Sequence, residues 1–276
     1  MRSWRTRFAP SPTGHLHLGH AYSALCVWHY AGGDPQNFLL RIDDLDYTRS
    51  RPEYVQQIYS DLHWLGIRWQ QEPQFQSQRL PRYQAAFAAL KQQELIYPCY
   101  LSRVETSEIQ SAPHDAPERA ASTKGVLSQK EQQRRHQAGI QPAWRLDMQR
   151  ACEMAGPLFI NTLHHGTQPA HPEAFGDVII ARRDIQASYH LSVILDDSDS
   201  DIELVVRGKD LEPSTHIHRL LQTLLGIKPP LYHHHQLITD DAGKRLAKRD
   251  DSRALSSYRE KGWSAERIRE YLPDIG

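Results

Sequence analysis

The stretch Pro10-Ser-Pro-Thr-Gly-His-Leu-His-Leu-Gly-His20 decides how this chain is read. Before it, Arg5 to Ala9 reads as a short strand that the Pro/Gly turn breaks. After it, from Gly19 to Tyr30, Ala, Leu, Val and aromatic residues recur at helical spacing. A strand that passes through such a turn into a helix makes an anion site. Free backbone N–H groups and the positive end of the helix dipole face whatever sits there. Gly19, lacking a Cβ, lets a ligand approach the backbone closely. His17 and His20 can donate to phosphate oxygens as negative charge builds up. Taken alone, the stretch also fits a Pro/Gly turn carrying surface histidines.

Working outward, Phe38 to Ile42 is a compact apolar strand ending in Asp43-Asp-Leu-Asp46. Glu53 to Leu65 and Tyr83 to Leu95 are helical, with Leu62, Trp64 and Leu65 on a buried face. Strand–helix–strand–helix predicts an α/β fold, a parallel sheet with covering helices. Ser102 to Gln141, rich in Gln, Ser, Ala and charge, predicts an exposed insertion with one or two polar helices. Order returns at Ala143–Leu146, Asp177–Ala181 and Tyr189–Leu195. Ile202 to Val206 is a further buried strand, ending in Arg207-Gly-Lys-Asp210. A helix follows from about Pro213 to Leu225, with Pro at a tolerated early position. His233-His-His235 is expected on a surface strand, because adjacent side chains rarely converge on one metal ion. Two short helices are expected near Arg253–Lys261 and Ala265–Leu272.

Gly243-Lys-Arg-Leu-Ala-Lys-Arg249 places four basic side chains within six residues. Such a cluster suits a polyphosphate; alone, it also fits a solvated basic loop. Asp240, Asp241, Asp250 and Asp251 bracket it, so it is not a general nucleic-acid patch.

Composition narrows the function. In 276 residues, 39% are hydrophobic, enough for a sizeable core. Lys+Arg and Asp+Glu both count 33 and the formal net charge is zero. A charge-driven nucleic-acid binder would be basic, so any RNA contact must come from local patches. Three scattered cysteines, Cys26, Cys99 and Cys152, read as free thiols in a reducing compartment. No apolar h-region follows the basic N-terminus and no apolar run is long enough to span a bilayer. A cytoplasmic protein with no membrane partner is expected.

His17-Leu-Gly-His20 and Arg245-Leu-Ala-Lys-Arg249 resemble the HIGH and KMSKS signatures of class I aminoacyl-tRNA synthetases. Arg7-Phe-Ala-Pro-Ser-Pro-Thr-Gly14, Leu40-Arg-Ile-Asp-Asp-Leu-Asp46, Trp64-Leu-Gly-Ile-Arg-Trp69 and Val206-Arg-Gly-Lys-Asp210 resemble the glutamyl-tRNA synthetase core, in the same order. The chain stops less than thirty residues past Arg249, where that family carries an anticodon-binding region. This resembles the truncated paralogous family that esterifies glutamate onto queuosine in tRNA(Asp).

The resemblance implies a Rossmann-like class I catalytic domain with an inserted subdomain and a small helical C-terminal part. Residues 1–100 and 176–212 would form the two parts of the Rossmann domain and 101–175 the insertion. Residues 213–276 would form a helical stem-contact-like region, with no anticodon-binding domain. It implies that L-glutamate is activated by ATP with Mg²⁺, without tRNA, and passed to tRNA(Asp) carrying queuosine. Pro10, Gly14, His17, Gly19, His20, Arg245 and Lys248 would bind ATP, with His17, His20 and Lys248 acting in catalysis. Arg7 and Arg207 would take the γ-carboxylate, as guanidinium forks suit carboxylates. Tyr189 would add a hydroxyl, and Ser11 and Asp43 would hold the α-amino group. The family usually has Glu at Asp43, so a bridging water is expected there. Ala247 replaces the Ser of the signature, and Arg245 its first Lys. The paralogues often carry zinc on a Cys-x-Cys pair, but here Cys99-Tyr-Leu101 offers one thiol, so no structural zinc is expected. A monomer is expected. The alternatives are a minimal tRNA(Glu)-charging enzyme, an inactive synthetase-like binding module and a nucleotidyltransferase of the same fold.

Overall fold

The computed structural model describes residues 2–102, 104–107, 122–183, 187–238 and 254–275. Strand β1 (Thr6–Phe8), helix α1 (Leu18–Tyr30) and strand β2 (Phe38–Ile42) open the chain as a parallel unit. Helix α2 (Pro52–Trp64) leads to the short β3 (Gln74–Phe75), also parallel to β2. Pro at the head of α2 costs nothing, since its missing N–H would have had no helical partner. A 3₁₀ turn (Gln76–Arg79) runs into α3 (Leu80–Gln92).

Strands β4 (Ile96–Cys99), β5 (Ala143–Leu146) and β8 (Ile179–Ala181) form a separate antiparallel sheet. Between its first two strands lies the polar helix α4 (Gln129–Gln137), which buries no residue. Helix α5 (Met148–Ala155) and the hairpin of β6 (Phe159–Thr162) and β7 (Gly166–Pro169) follow β5. After β8 come α6 (Tyr189–Asp199), β9 (Leu204–Gly208), α7 (Glu212–Leu224) and β10 (Leu231–His235). Helices α8 (Leu255–Glu260) and α9 (Ala265–Tyr271) close the described chain.

The parallel strands line up across the molecule. Arg5 O accepts from Glu203 N and Leu204 N at 2.9 and 3.3 Å, which sets β9 beside β1, on the side away from β2. The order is therefore β3-β2-β1-β9-β10-β6-β7, with β7 antiparallel at the edge. From β1 the chain steps one way to β2, whereas β9 and β10 build the other way. Such a reversal opens a crevice outside the C-terminal ends of the strands at the switch point. Pro10, Asp43 and Gly208 all stand at those ends.

Strand alternation then sorts the side chains. Phe8, Leu40, Ile42, Leu204 and Val206 face one core, with α1, α2, Leu255 and Ile268. Arg7, Arg41 and Arg207 fall on the opposite face by the two-residue period. A second core joins α3, α5, α6 and α7.

The α/β expectation, with its parallel sheet, holds. The expected strand at Ile202–Val206 lies two residues later, because Ile202 packs as a buried residue ahead of the ladder. His233-His-His235 is not on a surface strand. β10 runs between β9 and β6, and Tyr232 and His235 are buried. Among the described residues, no helix is long and apolar enough to cross a membrane.

Candidate active site

The motif turn builds its own helix cap. His17 is the N-cap of α1, and its Nδ1 accepts from Gly19 N at 3.1 Å. His20 Nδ1 in turn accepts from His17 N at 3.2 Å. Two imidazoles thus satisfy two backbone donors that an uncapped helix start would leave open. The acceptor role of each Nδ1 puts the neutral ring's proton on Nε2. Both histidines are therefore fixed as Nε2 donors, their ring centroids 3.9 Å apart. Gly19 serves this arrangement. A Cβ there would lie 2.9 Å from His17 Cε1, so the space opened by the missing side chain is filled by the His17 ring. The turn is pinned from β2 as well: Asp43 N donates to Pro10 O and Arg51 N to Pro12 O, both at 3.0 Å.

Arg245 and Lys248 lie outside the described residues. Their flanks are placed. Leu255 N donates to Leu16 O at 2.8 Å, and Ala254 forms a β-bridge with His17. At Ala254 and Leu255 the chain thus lies against the first motif.

On the sheet face beneath α6, three buried arginines stand on neighbouring strands. Arg7 Nε donates to Asp197 Oδ1 at 2.8 Å, and Arg41 Nη1 to the same oxygen at 2.6 Å. Arg41 also grips Asp43, through Nε at 2.7 Å and Nη2 at 3.3 Å. Burial opposes the Arg41 charge, but Asp43, Asp197 and Asp196 outweigh it and hold its pKa well above the ordinary arginine value. Burial likewise opposes charge on Asp197, yet Arg7 and Arg41 hold its carboxyl below the ordinary range. A cavity of about 100 Å³ opens beside this network, lined by Arg7, Arg41, Asp196, Asp197, Leu39 and Gln74 among others.

Arg207 differs. It is buried at the end of β9, and none of its described partners carries a negative charge. Nη2 donates to Thr215 Oγ1 at 2.6 Å and Nη1 to Tyr189 Oη at 3.3 Å and His218 Nδ1 at 3.2 Å. Nε reaches His234 Nε2 at 3.4 Å. Burial first, then the Arg207 charge, pushes His218 well below the ordinary histidine value and His234 down to about 3. The imidazoles are neutral, so the guanidinium keeps its full positive charge. Among the described residues no acid pairs with this buried cation, and a guanidinium fork left in that way suits a carboxylate or a phosphate.

A family model described as the catalytic domain of class I tRNA synthetases for E and Q matches residues 3–276. The chain belongs to that family. It is 45% identical to the glutamyl-Q tRNA(Asp) synthetase of Rhodobacter capsulatus, over 97% of this chain and 99% of that protein. It is 38% identical to a glutamate–tRNA ligase of Synechococcus sp. (strain JA-3-3Ab), covering 98% of this chain but 56% of that one. Among solved structures, a glutamate tRNA ligase of Elizabethkingia meningosepticum in complex with its amino acid superposes with a TM-score of 0.74. It is 26% identical, over 96% of this chain and 59% of that one.

Of the residues expected from the sequence, the synthetase fold brings Tyr189 and Arg207 into contact and sets Pro10 against Asp43. Arg7 is committed to Asp197 and Asp43 to Arg41, two partners the sequence reading did not weigh. His190, Thr215 and His218 were not singled out, and His234 was read as part of a surface strand. The Arg41 signal was available: one charge inside Phe38-Leu-Leu-Arg-Ile42 must be buried and paired. Around Cys99-Tyr-Leu101, Tyr100 O accepts from Arg135 at 3.1 Å and Leu101 O from Arg183 at 2.6 Å. Among the described residues, no group of three or more His, Cys, Asp or Glu converges to hold a metal.

Proposed function

We propose that this synthetase activates L-glutamate with MgATP and transfers the glutamyl group to queuosine in the anticodon of tRNA(Asp), the activation needing no tRNA. The observation that carries the activation reading is Arg207, a buried cation left for a ligand's carboxylate at the crevice where the motif turn also opens. The glutamate γ-carboxylate would sit on Arg207, with Tyr189 Oη alongside. Arg7 would act on it through the shared Asp197 network. Asp43, close to Pro10 and Ser11, would take the α-amino group once Arg41 shares it.

Nucleotide phosphates would lie over the α1 terminus, near Pro10, Gly14 and Gly19. There the Nε2 donors of His17 and His20 face the charge that builds as the α-carboxylate attacks the α-phosphorus. Lys248 and Arg245, a few residues ahead of the Ala254–His17 bridge in the chain, would neutralise the departing pyrophosphate. Mg²⁺ enters as the counter-ion of ATP, held mainly by phosphate oxygens and water. Catalysis of this kind rests on positioning and charge stabilisation. Residues 1–100 and 176–212 would supply most of the catalytic body, but β6, β7 and β10 pair into the same sheet, so only the remainders of 101–175 and 213–276 would be left as acceptor-side insertion and stem-contact part. The transfer reading is supported by the near-complete overlap with proteins named glutamyl-Q tRNA(Asp) synthetase, at 99% and 83% of their lengths.

The test uses labelled glutamate, ATP and Mg²⁺ with bulk tRNA from queuosine-containing and queuosine-deficient cells. Label retained only on the queuosine-containing tRNA, and tracking tRNA(Asp), is expected. Equal labelling of tRNA(Glu) from both sources would replace the transfer reading with tRNA(Glu) charging. Absence of pyrophosphate exchange would leave a binding module.

A further inference from the structure

Arg207 rests on a chain of two imidazoles whose direction the geometry dictates. A guanidinium can only donate, so His218 Nδ1, 3.2 Å from Arg207 Nη1, must accept. The His218 proton is therefore on Nε2. That nitrogen lies 3.2 Å from His190 Nδ1, which must accept in its turn. His190 is left with its own proton on Nε2. Among the described residues nothing accepts from that N–H, and His190 is the residue next to Tyr189, whose hydroxyl touches Arg207. On the other side, His234 Nε2 accepts from Thr215 Oγ1 at 3.0 Å and from Arg207, closing the neutral cage.

We infer that His218 and His190 are a positioning pair for glutamate, on the glutamate-activating reading above. His218 holds the Arg207 fork without neutralising it, and His190 is thereby fixed as a second N–H donor at the same end of the site. The residue type is constrained. A carboxylate at 218 would pair with Arg207 and compete with the substrate carboxylate. A lysine would set cation against cation. An aliphatic side chain would leave Nη1 short of an acceptor and release His190 to either tautomer. A glutamine keeps the pattern, because its amide oxygen can accept from Arg207 and its NH₂ can donate to His190. Burial favours the neutral form of both rings, His190 being pushed down to about 4 chiefly by desolvation and then by Arg207.

The experiment is glutamate-dependent ATP–pyrophosphate exchange on the full chain, comparing wild type with His218→Leu and His218→Gln. For His218→Leu, KM for glutamate is expected to rise about tenfold or more, the usual cost of a hydrogen bond to a charged group. Its KM for ATP and its kcat at saturating glutamate should hold. His218→Gln should return the glutamate KM to within about threefold of wild type. If the Leu variant does not fold, the Gln variant decides alone: a KM near wild type supports the pair, and a tenfold rise overturns it. An unchanged glutamate KM in both variants, or a fall in kcat with KM fixed, also overturns the pair while leaving glutamate activation standing. No exchange by wild type removes the activation reading and the pair together.

Discussion

Arg7 and Arg207 were expected to share one task, yet their surroundings give opposite consequences for losing the charge. Among the described residues, Arg207 is hydrogen-bonded to hydroxyls and imidazoles, with the Tyr232 ring centroid 5.6 Å from its guanidinium, and pairs with no carboxylate. Arg207→Met removes a buried cation and strands no buried charge, so the melting temperature should hold or rise. The KM for glutamate should rise by about a hundredfold or more, as two charge-assisted bonds to a carboxylate are lost. Arg7→Met instead takes from the buried Asp197 one of its two counter-ions. Removing one partner of a buried pair is destabilising, so this variant should melt well below wild type. Thermal melts beside exchange kinetics separate the two, and equal losses of stability would refute the assignment of Arg207 as the uncompensated cation. Both arginines were named through the motifs that carry the family resemblance, on or at the end of strands that the sequence itself marks. Their partners were not: Thr215, His218 and His234 stand 8, 11 and 27 residues from Arg207. Only the β9–α7–β10 crossover brings them to it.

Helix α8 was legible as a short helix after the basic loop, but its function as an anchor was not. Leu255 is fully buried among residues of α1, α2 and the sheet. Its N–H holds Leu16 O, the residue before the first histidine of the motif. Arg259 donates to Ser60 Oγ at 3.0 Å and Arg269 to Leu65 O at 2.6 Å, so both C-terminal helices are fastened to α2. A short helix has little stability of its own, and this one depends on those contacts. Leu255→Ala should cost about 2–5 kcal/mol, the usual range for emptying a buried leucine site. It should also loosen the Ala254–His17 bridge that follows the basic cluster in the chain. Well below the variant's melting temperature, kcat for exchange should fall several-fold while the glutamate KM stays put, because the Arg207 cage is untouched. A kcat equal to wild type at that temperature would reduce α8 to ordinary core. The companion change, Gly19→Ala, acts on the same turn from inside. A methyl 2.9 Å from His17 Cε1 must displace the ring, and kcat should drop with little change in melting temperature.

Across the molecule, the balance of 33 basic and 33 acidic residues says nothing of where the histidines lie, and there the sequence was least readable. His233 was expected on a surface strand, as one of three adjacent histidines that rarely converge on one metal ion. β10 instead lies inside the sheet, where the pairing partner on each side decides burial. Burial followed by the His164 charge brings His233 down to about 4, and burial followed by Arg207 takes His234 to about 3 and His190 to about 4. His218, His216, His235 and His63 are lowered as well, each first by burial. The sign follows from which state takes up protons. In the unfolded chain these rings titrate near the ordinary value of about 6.5. Below that pH the unfolded state binds protons that the folded state refuses, so stability falls as pH drops toward about 4. Each such ring adds a slope of up to about 1.4 kcal/mol per pH unit within its window. Asp43 and Asp61, both raised chiefly by burial, work the other way, since the folded state protonates them more readily. Two carboxyls against seven imidazoles leave the histidine direction dominant between about pH 6.5 and 4.5. Urea midpoints measured across that interval should fall steadily with acidification, and the fall should shrink when His218 and His234 are both changed to Gln. A flat midpoint would mean that these rings are charged in the folded protein, and the neutral cage around Arg207 would go with them.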